Sequence, residues 1–508
     1  MIPCSLLTYC SRAQATPHPG TLPHPSSAAM GLFPPPGAPH EPAFDNPSPW
    51  QKRILISFIL AAVLGISVAM CICPPGENVL SDYVDGGRPE TEVDGVTVSA
   101  ADTAWVLFSS ALVFIMIPGI AFFYGGMIDH KNVVGTIATA ILPLAIIPLL
   151  WAFFGFSLAF GKNTLAGLIG SPGTYGLMYN VGHLPWGELP ISTTTMWIFQ
   201  CMFATLTPAI LIGSIADRVN FAALCVFVPL WHLAVYCPVA HWVWGGGIIS
   251  SYGILDFAGG MVVHMSSGYS ALAAAYFLGP SVKGPSTEGP ANIPYTVLGT
   301  SLLWFGWYGF NGGSAFGASA YAAHAMVNTT IATACSMLVW LMMDQIKGKS
   351  FKTTGMCLGI VVGLVGITPA CGIVNFGAAG IIGIAASVIC SLAQSAMEKW
   401  GKAKADDTLD VFACHGIGGT VGMVLTSCFQ SRKAGAWDYL DGAFYGMPEE
   451  LGKCLIVLVC IVAYFLLATY CIMWFVNCFI SMRVTEEEED EGLDFSKHFE
   501  GSVTADDA

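Results

Sequence analysis

The stretch that decides the fold covers residues 256–268, with the sequence DFAGGMVVHMSSG, and it has a partial repeat, DVFACHGIGG, at residues 410–419. In each stretch an aspartate comes first, and a histidine (His264 or His415) is followed four positions later by a glycine. Ionisable side chains inside apolar runs are costly and usually face a pathway or the interior of a helix bundle. Two halves that repeat in opposite membrane orientation would bring the two histidines together. The motif therefore predicts a membrane protein built as an inverted repeat.

The composition around these motifs is that of a membrane protein. The 508 residues are 54% hydrophobic and 10% charged, with a mean hydropathy of +0.65, whereas a soluble protein carries about 25% charged residues. Such a low charge content cannot cover a water-exposed surface of this size, which excludes a soluble globular fold. The net charge of −14 is concentrated in two acidic segments, at 82–94 and 485–508. The chain has no basic face, so we predict no nucleic-acid partner.

Apolar runs of membrane-spanning length follow one another from Thr103 onward, since about 20 apolar residues suffice for a helix to cross a bilayer. We predict an all-α polytopic membrane protein with eleven transmembrane helices, built as a five-plus-five inverted repeat plus one. Alternate loops on one side carry about twice as many Lys and Arg as those on the other, which places that side and the C-terminus in the cytoplasm. The predicted spans are 103–125, 133–160, 191–214, 221–240, 256–279, 294–313, 321–346, 355–373, 376–398, 409–429 and 451–481.

Further segments flank the membrane domain. The Pro-rich N-terminal extension cannot bury enough apolar surface to offset its ordering entropy, so we expect it to be disordered. The apolar run after it follows basic residues and is interpreted as a retained signal anchor, with a cleaved signal peptide as the alternative. The acidic tail is expected to be mobile. The predicted divisions are the extension 1–52, the signal anchor or signal-peptide-like segment 53–73, the acidic extracellular linker 74–101, the membrane domain 102–482 and the acidic cytoplasmic tail 483–508.

The two histidines are the first candidates for chemistry. Burial disfavours a charged imidazolium, so we expect His264 and His415 to be neutral, each with one N–H donor and one acceptor. A neutral pair can line a narrow apolar pore and hydrogen-bond a small polar solute without trapping it. A structural hydrogen bond to a neighbouring helix is the alternative for either histidine alone. A metal site would need carboxylate or thiolate ligands, and Cys414 points about 100° away from His415 on a helix; we predict neither metal nor cofactor.

Asp256 lies at the start of a predicted span and has two interpretations. The favoured one is a helix N-cap, in which its carboxylate accepts hydrogen bonds from the first backbone N–H groups. The alternative is direct contact with a cation. In either case a carboxylate at this place would bias the outer mouth of a pathway towards cations.

Aromatic residues alternate with glycine in two further stretches, AHWVWGGG at 240–247 and WFGWYGFNGGS at 304–314. A single Trp near the end of a span is usually part of the interfacial belt of a membrane protein. Rings that glycine brings close together can also form a cage for a small cation, worth up to about 2 kcal/mol when the cation is desolvated. These stretches therefore leave both an interfacial and a cation-binding interpretation open.

Five motifs in unbroken order resemble the ammonium transporter family (Amt/Mep, with the Rhesus proteins as distant relatives), and the resemblance extends from residue 102 to residue 498. It implies an eleven-helix protomer with its N-terminus outside, one pore in each subunit, assembly as a homotrimer and a place in the plasma membrane. The motifs are PGIAFFYGG at 118–126, DFAGGMVVH at 256–264, GWYGFNGGS at 306–314, GLVGITPACG at 363–372 and DVFACHG at 410–416.

The resemblance also implies roles for individual residues. It implies an outer recruitment site for ammonium at Trp244, Phe203 and Ser314, a gate of stacked rings at Phe203 and Phe310, a pore at His264 and His415, and a structural acid at Asp256. In the tail, Ser496 lies where plant relatives carry a regulatory phosphorylated Thr, which implies a regulatory phosphosite and a cytoplasmic regulator. The tail departs from the family in having Phe499 after His498, where Gly is common.

These expectations describe a transporter of ammonium or ammonia, with methylammonium as a related substrate, and not an enzyme. The ring of Trp244 favours the Amt/Mep branch, because the resemblance implies that Rhesus proteins lack it. Three alternatives stay open: a gas channel of the Rhesus type, an ammonium sensor that signals through its tail, and a membrane enzyme that uses the two histidines with a metal.

Overall fold

The structure, a computed structural model, is mostly helical in the part of the chain that it describes. The predicted N-terminal extension and signal anchor lie outside the described residues, as do most of the acidic linker and the end of the tail. The described residues are 92–93, 96–282, 289–401, 404–434 and 441–500.

Eight helical segments in the described part of the chain are long and apolar enough to cross a membrane. Each coincides with a predicted span, so the all-helical, multi-pass class is confirmed. The eight segments are Ala100–Met127, His130–Phe160, Thr193–Ile212, Phe221–Ser251, Ala320–Ile346, Phe376–Lys399, Phe412–Phe429 and Pro448–Asn477.

Three other helical segments lie where the remaining spans are predicted. One begins as a widened, π-helical turn, Gly260–Met265, and continues as the α-helix Ser266–Leu278. The second is Ile293–Gly313, and the third, Thr353–Ile367, has 15 residues and is apolar. The first two carry many small and polar residues on buried faces, which lowers their hydropathy. Helices that pack in a membrane interior commonly use such residues at their contacts.

Several of the long segments are interrupted by widened turns. The segment 130–160 consists of the helices Val133–Ile141, Pro143–Leu150 and Phe156–Phe160, with the π-turn Trp151–Gly155 between the last two. The segment 221–251 is divided in the same way. Its parts are Phe221–Trp231, the π-turn His232–Tyr236, Cys237–Val243 and the short helix Ile248–Ser251.

Helix contacts are close where glycine permits it. The helices Ala100–Met127 and Ile293–Gly313 make the most extensive contact in the described structure. A Cβ on Gly299 would lie 2.2 Å from the backbone N of Phe123, so the two backbones touch without an intervening side chain. Such approach is typical of helix pairs in membranes, where packing replaces the hydrophobic effect as the main attraction.

The loops opposite the tail carry short antiparallel ribbons of two strands each. These ribbons cover the helix ends on that face and include the residues that close the cavity described below. The pairs are Glu92–Val93 with Val96–Thr97, Asn163–Thr164 with Ile169–Gly170, and Pro185–Trp186 with Leu189–Ser192.

The described part of the tail is folded, which corrects the expectation that it is mobile. Thr485 begins the helix Glu486–Glu491 with a capping box to Glu488, and a second short helix, Leu493–Ser496, follows. Glu489 is buried and pairs with Arg483 at 2.7 Å. The tail is ordered because its acidic side chains accept hydrogen bonds from the membrane domain, a pairing that charge content alone does not reveal.

Candidate functional site

The two motif segments cross each other at glycines. A Cβ on Gly268 would lie 2.0 Å from the backbone N of Gly416, and a Cβ on Gly419 would lie 2.7 Å from the carbonyl O of Gly260. From Gly260 to Gly268 the contacted residue moves back from Gly419 to Gly416, so the two segments cross with opposite chain directions. This is the relation that an inverted repeat requires of its matching parts.

The crossing brings the two predicted histidines into direct contact. Nδ1 of His264 and Nδ1 of His415 are 3.2 Å apart, and the side chains are 0% and 6% exposed. A hydrogen bond between two neutral rings needs one Nδ1–H donor and one Nδ1 acceptor, so the two rings are opposite tautomers. The pair therefore presents one Nε2 acceptor and one Nε2–H donor. Nε2 of His264 has no hydrogen-bond partner among the described residues.

A column of aromatic rings leads to His264. The rings of Phe203 and Phe310 lie 4.3 Å apart with an interplanar angle of 30°, and Phe310 lies 5.8 Å from the His264 ring. Trp244 meets Phe203 edge to face at 6.1 Å. Trp307 stacks on His264 at 5.2 Å and 18°, a contact that sequence reasoning missed. Its spacing of three residues from Phe310 on one helix was the available signal, because such residues share a face.

A cavity of about 510 Å³, which we call the outer cavity, lies beyond this column and is lined by Trp244, Ser314 and Asp256 among others. Phe203, the third predicted residue of the recruitment site, is not among the lining residues; it contacts Trp244, which is. Nε1 of Trp244 donates to the carbonyl of Asp256 at 2.8 Å, and Oγ of Ser314 donates to the carbonyl of Phe310 at 2.8 Å. The hydroxyl oxygen of Ser314 therefore keeps lone pairs for a cation in the cavity.

A second space, beside His415, is small and apolar. A cavity of about 10 Å³ is lined by His415, Tyr124, Trp307 and Val361 among others. Its one hydroxyl group, that of Tyr124, donates to the carbonyl of Ile210 at 2.9 Å. Volume of this order holds about one water-sized molecule, so the space fits a small neutral solute better than a hydrated ion.

Asp256 is fully engaged with backbone donors. Its carboxylate accepts four hydrogen bonds at the start of the widened turn that carries His264, which is the geometry of an extended N-cap. The four donors are the N–H groups of Gly259 (2.9 Å), Gly260 (2.6 Å), Met261 (2.7 Å) and Val262 (3.2 Å).

Asp407, which sequence reasoning missed, plays the corresponding part in the second segment. Its carboxylate accepts from the N–H of Val411 at 3.1 Å and of Phe412 at 2.7 Å. These donors have the same offsets, four and five residues, as two of the donors to Asp256. Asp407 also precedes His415 by the eight residues that separate Asp256 from its histidine. That equal spacing was the signal in the sequence.

The predicted counterpart of Asp256 was Asp410, and the structure corrects this. Asp410 has a left-handed φ of +57° and accepts a hydrogen bond from Nε2 of Gln394 at 2.7 Å. Asp407, in contrast, is buried. Burial raises the pKa of its carboxyl group to about 7, although the hydrogen bonds from its two backbone donors lower it. Asp410 therefore binds a side chain of the neighbouring helix, and Asp407, three residues earlier, is the cap.

A buried arginine holds the loop that carries Asp407. Arg218 is fully buried and donates through Nη1 to Oγ1 of Thr408 at 2.7 Å and to Asp217 at 2.6 Å. Its Nη2 donates to the carbonyl of Asp406, and its Nε to that of Gly279 at 3.0 Å. A guanidinium offers five donors in a fixed plane, so one side chain fixes the residues on both sides of Asp407.

Ser496, the predicted phosphosite, lies away from the ring column, in the docked tail. Its Oγ is buried and donates to the carbonyls of Gly492 at 2.8 Å and Glu488 at 3.0 Å. The neighbouring Asp494 accepts from the N–H of Val134 at 3.0 Å and of Gly135 at 2.7 Å. The tail thus caps the start of a membrane-domain helix, where a negative charge is favourable.

Metal binding would need more than the histidine pair. In the described ranges, His, Cys, Asp and Glu nowhere come together in groups of three or more that could hold a metal ion. Two imidazoles that bond to each other through Nδ1 also direct those nitrogens at each other and not at a shared ion. The arrangement is that of a hydrogen-bonding pair in an apolar surround.

Comparison with known sequences gives one consistent result. The profile of the Ammonium Transporter Family matches residues 104–503. An ammonium transporter named Amt1 from Archaeoglobus fulgidus is 41% identical over 409 residues, which cover 80% of this chain and 100% of that protein. The ammonium transporter of Bacillus subtilis is 41% identical over 403 residues, covering 78% of this chain and 97% of that one.

Comparison with solved structures agrees. Mep2 from Saccharomyces cerevisiae is 33% identical with a TM-score of 0.71, covering 77% of this chain and 88% of that one. Mep2 from Candida albicans is 32% identical with a TM-score of 0.72, covering 78% and 90%. A structure described as a sensor Amt protein is 27% identical with a TM-score of 0.72, covering 78% and 98%.

Proposed function

Because this chain belongs to the ammonium transporter family, we propose that it moves ammonium across a membrane, with neutral ammonia as the species that passes the narrowest part of the pore. The observation that carries the proposal is the buried, mutually hydrogen-bonded pair of His264 and His415 behind two stacked phenylalanine rings. Such a pair offers hydrogen bonds to a small nitrogen base without placing a fixed charge in its path.

Capture of the cation takes place in the outer cavity. The faces of aromatic rings attract a cation of this size, by up to about 2 kcal/mol when it is desolvated. Trp244 supplies such a ring, and Ser314 supplies an oxygen that accepts an N–H bond. A cage with one hydroxyl selects for a small cation that donates hydrogen bonds, which separates ammonium from potassium.

Passage beyond the cavity requires the rings of Phe203 and Phe310 to move. They are 1% and 0% exposed and stack at 4.3 Å, which supports a closed resting position. Rotation of the rings opens a path without breaking a hydrogen bond, because neither side chain has a polar atom. The pair therefore works as a gate that excludes hydrated ions.

Loss of a proton follows from the dryness of the path. Moving an intact charge to the centre of a bilayer costs from about 3 to more than 10 kcal/mol, and desolvation lowers the pKa of an ammonium ion. Ammonia then passes His264 and His415, accepting from an Nε2–H and donating to the bare Nε2. The proton is relayed along the histidines or carried through, and either route gives an inward current. A proton lost to the outside would give uptake without current, as in a gas channel.

The architecture that we propose has eleven spanning helices, formed by the eight long segments and the three described beside them. The halves are related as five plus five, with the antiparallel crossing at Gly268 and Gly419 as the supporting contact. We further propose a homotrimer in the plasma membrane, as the resemblance to the family implies. The loop charges support a cytoplasmic tail.

Regulation through the tail is a further part of the proposal. Phosphorylation of Ser496 would add about two negative charges beside Asp494 and Glu488. The hydroxyl hydrogen that now bonds to Gly492 and Glu488 would be lost. The tail would then leave the helix Val133–Ile141, and a cytoplasmic regulator would act at this place.

The test is current and uptake in reconstituted protein. We expect inward current with ammonium and not with potassium, and at least a ten-fold change in methylammonium uptake in His264→Asp and in His415→Ala. The matched control is His130→Gln, because His130 lies on the surface with a half-exposed side chain. Unchanged uptake in both pore variants would contradict the proposal, and uptake without any current would favour a gas channel.

A second candidate is an ammonium sensor, which the likeness to a sensor Amt protein and the docked tail favour. A variant with the tail removed after residue 484 separates the two functions. Retained uptake with loss of an ammonium-dependent cellular response would indicate a sensor.

A further inference from the structure

The strand pair Pro185–Trp186 and Leu189–Ser192, which we call the mouth hairpin, reaches into the wall of the outer cavity. Trp186, Gly187, Glu188 and Leu189 all line that cavity. Gly187 and Glu188 form the two-residue turn between the strands, and Gly187 has a left-handed φ of +58°. Tight hairpin turns use such residues because glycine has no Cβ to clash.

The mouth hairpin is held in place by aromatic contacts. The ring of Trp186 lies 5.4 Å from Phe156, 5.4 Å from Tyr175 and 5.9 Å from Phe160. Backbone bonds add to this, since the N–H of Thr193 donates to the carbonyl of Leu184 at 2.9 Å. These contacts hold the backbone of the turn at the wall of the cavity.

Glu188 supplies a carboxylate in the lining of the outer cavity that is free to attract a cation. The charged side chains that line it, within the described residues, are Glu188 and Asp256. The carboxylate of Asp256 is occupied by four backbone donors. Glu188 is exposed and forms no hydrogen bond or ion pair with any described residue. No Lys or Arg of the described chain lines the cavity, so the carboxylate of Glu188 acts without a neutralising partner.

We propose that Glu188 is a cation-capture residue, which concentrates small monovalent cations in the outer cavity before they reach Trp244 and Ser314. The proposal rests on the proposed function, whose substrate it deepens by adding an electrostatic step before the aromatic cage. Low-dielectric walls focus the field of a charge at the mouth of a cleft and raise the local concentration of the opposite charge. Because Glu188 lies at the rim and not in the column, it changes capture and leaves the passage itself unaltered.

The experiment measures methylammonium uptake by Glu188→Gln in proteoliposomes at low and high ionic strength. At an ionic strength of about 10 mM, where the screening length is about 30 Å, we expect KM to rise about three-fold with unchanged maximal uptake. At about 1 M, where that length is about 3 Å, the two proteins should converge. Glu188→Lys should raise KM further, by about ten-fold at low ionic strength.

The matched control is Glu449→Gln. Glu449 is an exposed acid at the start of the helix Pro448–Asn477, outside the lining of the cavity, and its loss should leave KM unchanged. An unchanged KM in Glu188→Gln at low ionic strength would overturn the inference. So would a fall in maximal uptake that persists in high salt, which would indicate a structural role. Failure of the unsubstituted protein to take up methylammonium would instead contradict the proposed function.

Discussion

The two motif segments, 256–268 and 407–419, place a histidine in the same way but open onto different surroundings. In each segment an aspartate lies eight residues before the histidine. Its carboxylate accepts hydrogen bonds from the N–H groups four and five residues after the aspartate. Asp256 also accepts from two further N–H groups, and it borders the outer cavity of about 510 Å³. Asp407 accepts from the N–H groups of Val411 and Phe412, and Arg218 fixes the loop around it.

The difference indicates that the histidine position and the opening beside it are built by separate parts of the chain. The cap and the glycine crossing are shared by both segments, so they position the imidazoles. Under the proposed function this difference is expected, since one face would collect a cation from water and the other would release a small neutral molecule.

Substitution at the crossing should have the largest effect. In Gly268→Ala the new Cβ would meet the backbone N of Gly416 at 2.0 Å, so the two segments must separate and the hydrogen bond between the histidines is lost. We expect methylammonium uptake to fall at least ten-fold, with partial loss of folded protein. Gly419→Ala should do less, because its nearest atom is a carbonyl O at 2.7 Å. Gly452→Ala, with open space around it, is the control.

Removal of the carboxylate of Asp256, which we call the outer cap, should have the next largest effect. Asp256→Ala leaves four backbone donors without their acceptor, at about 1–3 kcal/mol for each that stays unsatisfied. We expect a strongly lowered unfolding temperature and loss of uptake. Asp256→Asn keeps one acceptor oxygen and should recover part of the stability. Wild-type stability in Asp256→Ala would show that the four bonds contribute little.

Removal of the carboxylate of Asp407, which we call the inner cap, should lower the unfolding free energy by less. Asp407→Ala frees two backbone donors where Asp256→Ala frees four, so we expect about half the loss of unfolding free energy, on the order of 2–6 kcal/mol. Uptake should fall because the segment that carries His415 loses its start. Thermal unfolding of the two variants side by side measures the ratio. Equal losses would mean that the number of backbone bonds does not govern the caps.

The smallest effect is expected at the support of the inner cap. Thr408→Val removes the Oγ1 that accepts from Arg218. It leaves that arginine with its bonds to Asp217 and to the carbonyls of Asp406 and Gly279. We expect a loss of about 1–2 kcal/mol in unfolding free energy and uptake within two-fold of the unsubstituted protein. Thr330→Val, an exposed position outside this cluster, should change neither. A ten-fold fall in uptake in Thr408→Val would make this loop part of the pathway.

Sequence reasoning reached the helices and the histidines because both leave local patterns. Apolar runs predict spans, and a repeated motif predicts that His264 and His415 are matched. Sequence reasoning matched Asp410 to Asp256 because Asp410 begins the motif DVFACHG. The cap is instead Asp407, since backbone offsets that appear only in the folded turn decide which acid accepts the hydrogen bonds. Trp307 was missed for a related reason, since its stacking on His264 depends on where two helices cross. The folded tail depends on donors more than 300 residues away in sequence, such as the N–H of Gly135.

The central claim is that an uncharged, mutually hydrogen-bonded pair of imidazoles forms the narrowest polar point of the path. Nitrogen-15 NMR of histidine-labelled protein in lipid at pH 7 tests it directly, with the two signals assigned by their loss in His264→Gln and His415→Gln. The account predicts two neutral rings of opposite tautomer, one protonated at Nδ1 and one at Nε2, coupled through a shared hydrogen bond. A doubly protonated imidazolium at either position, or two rings with no coupling between them, would contradict it.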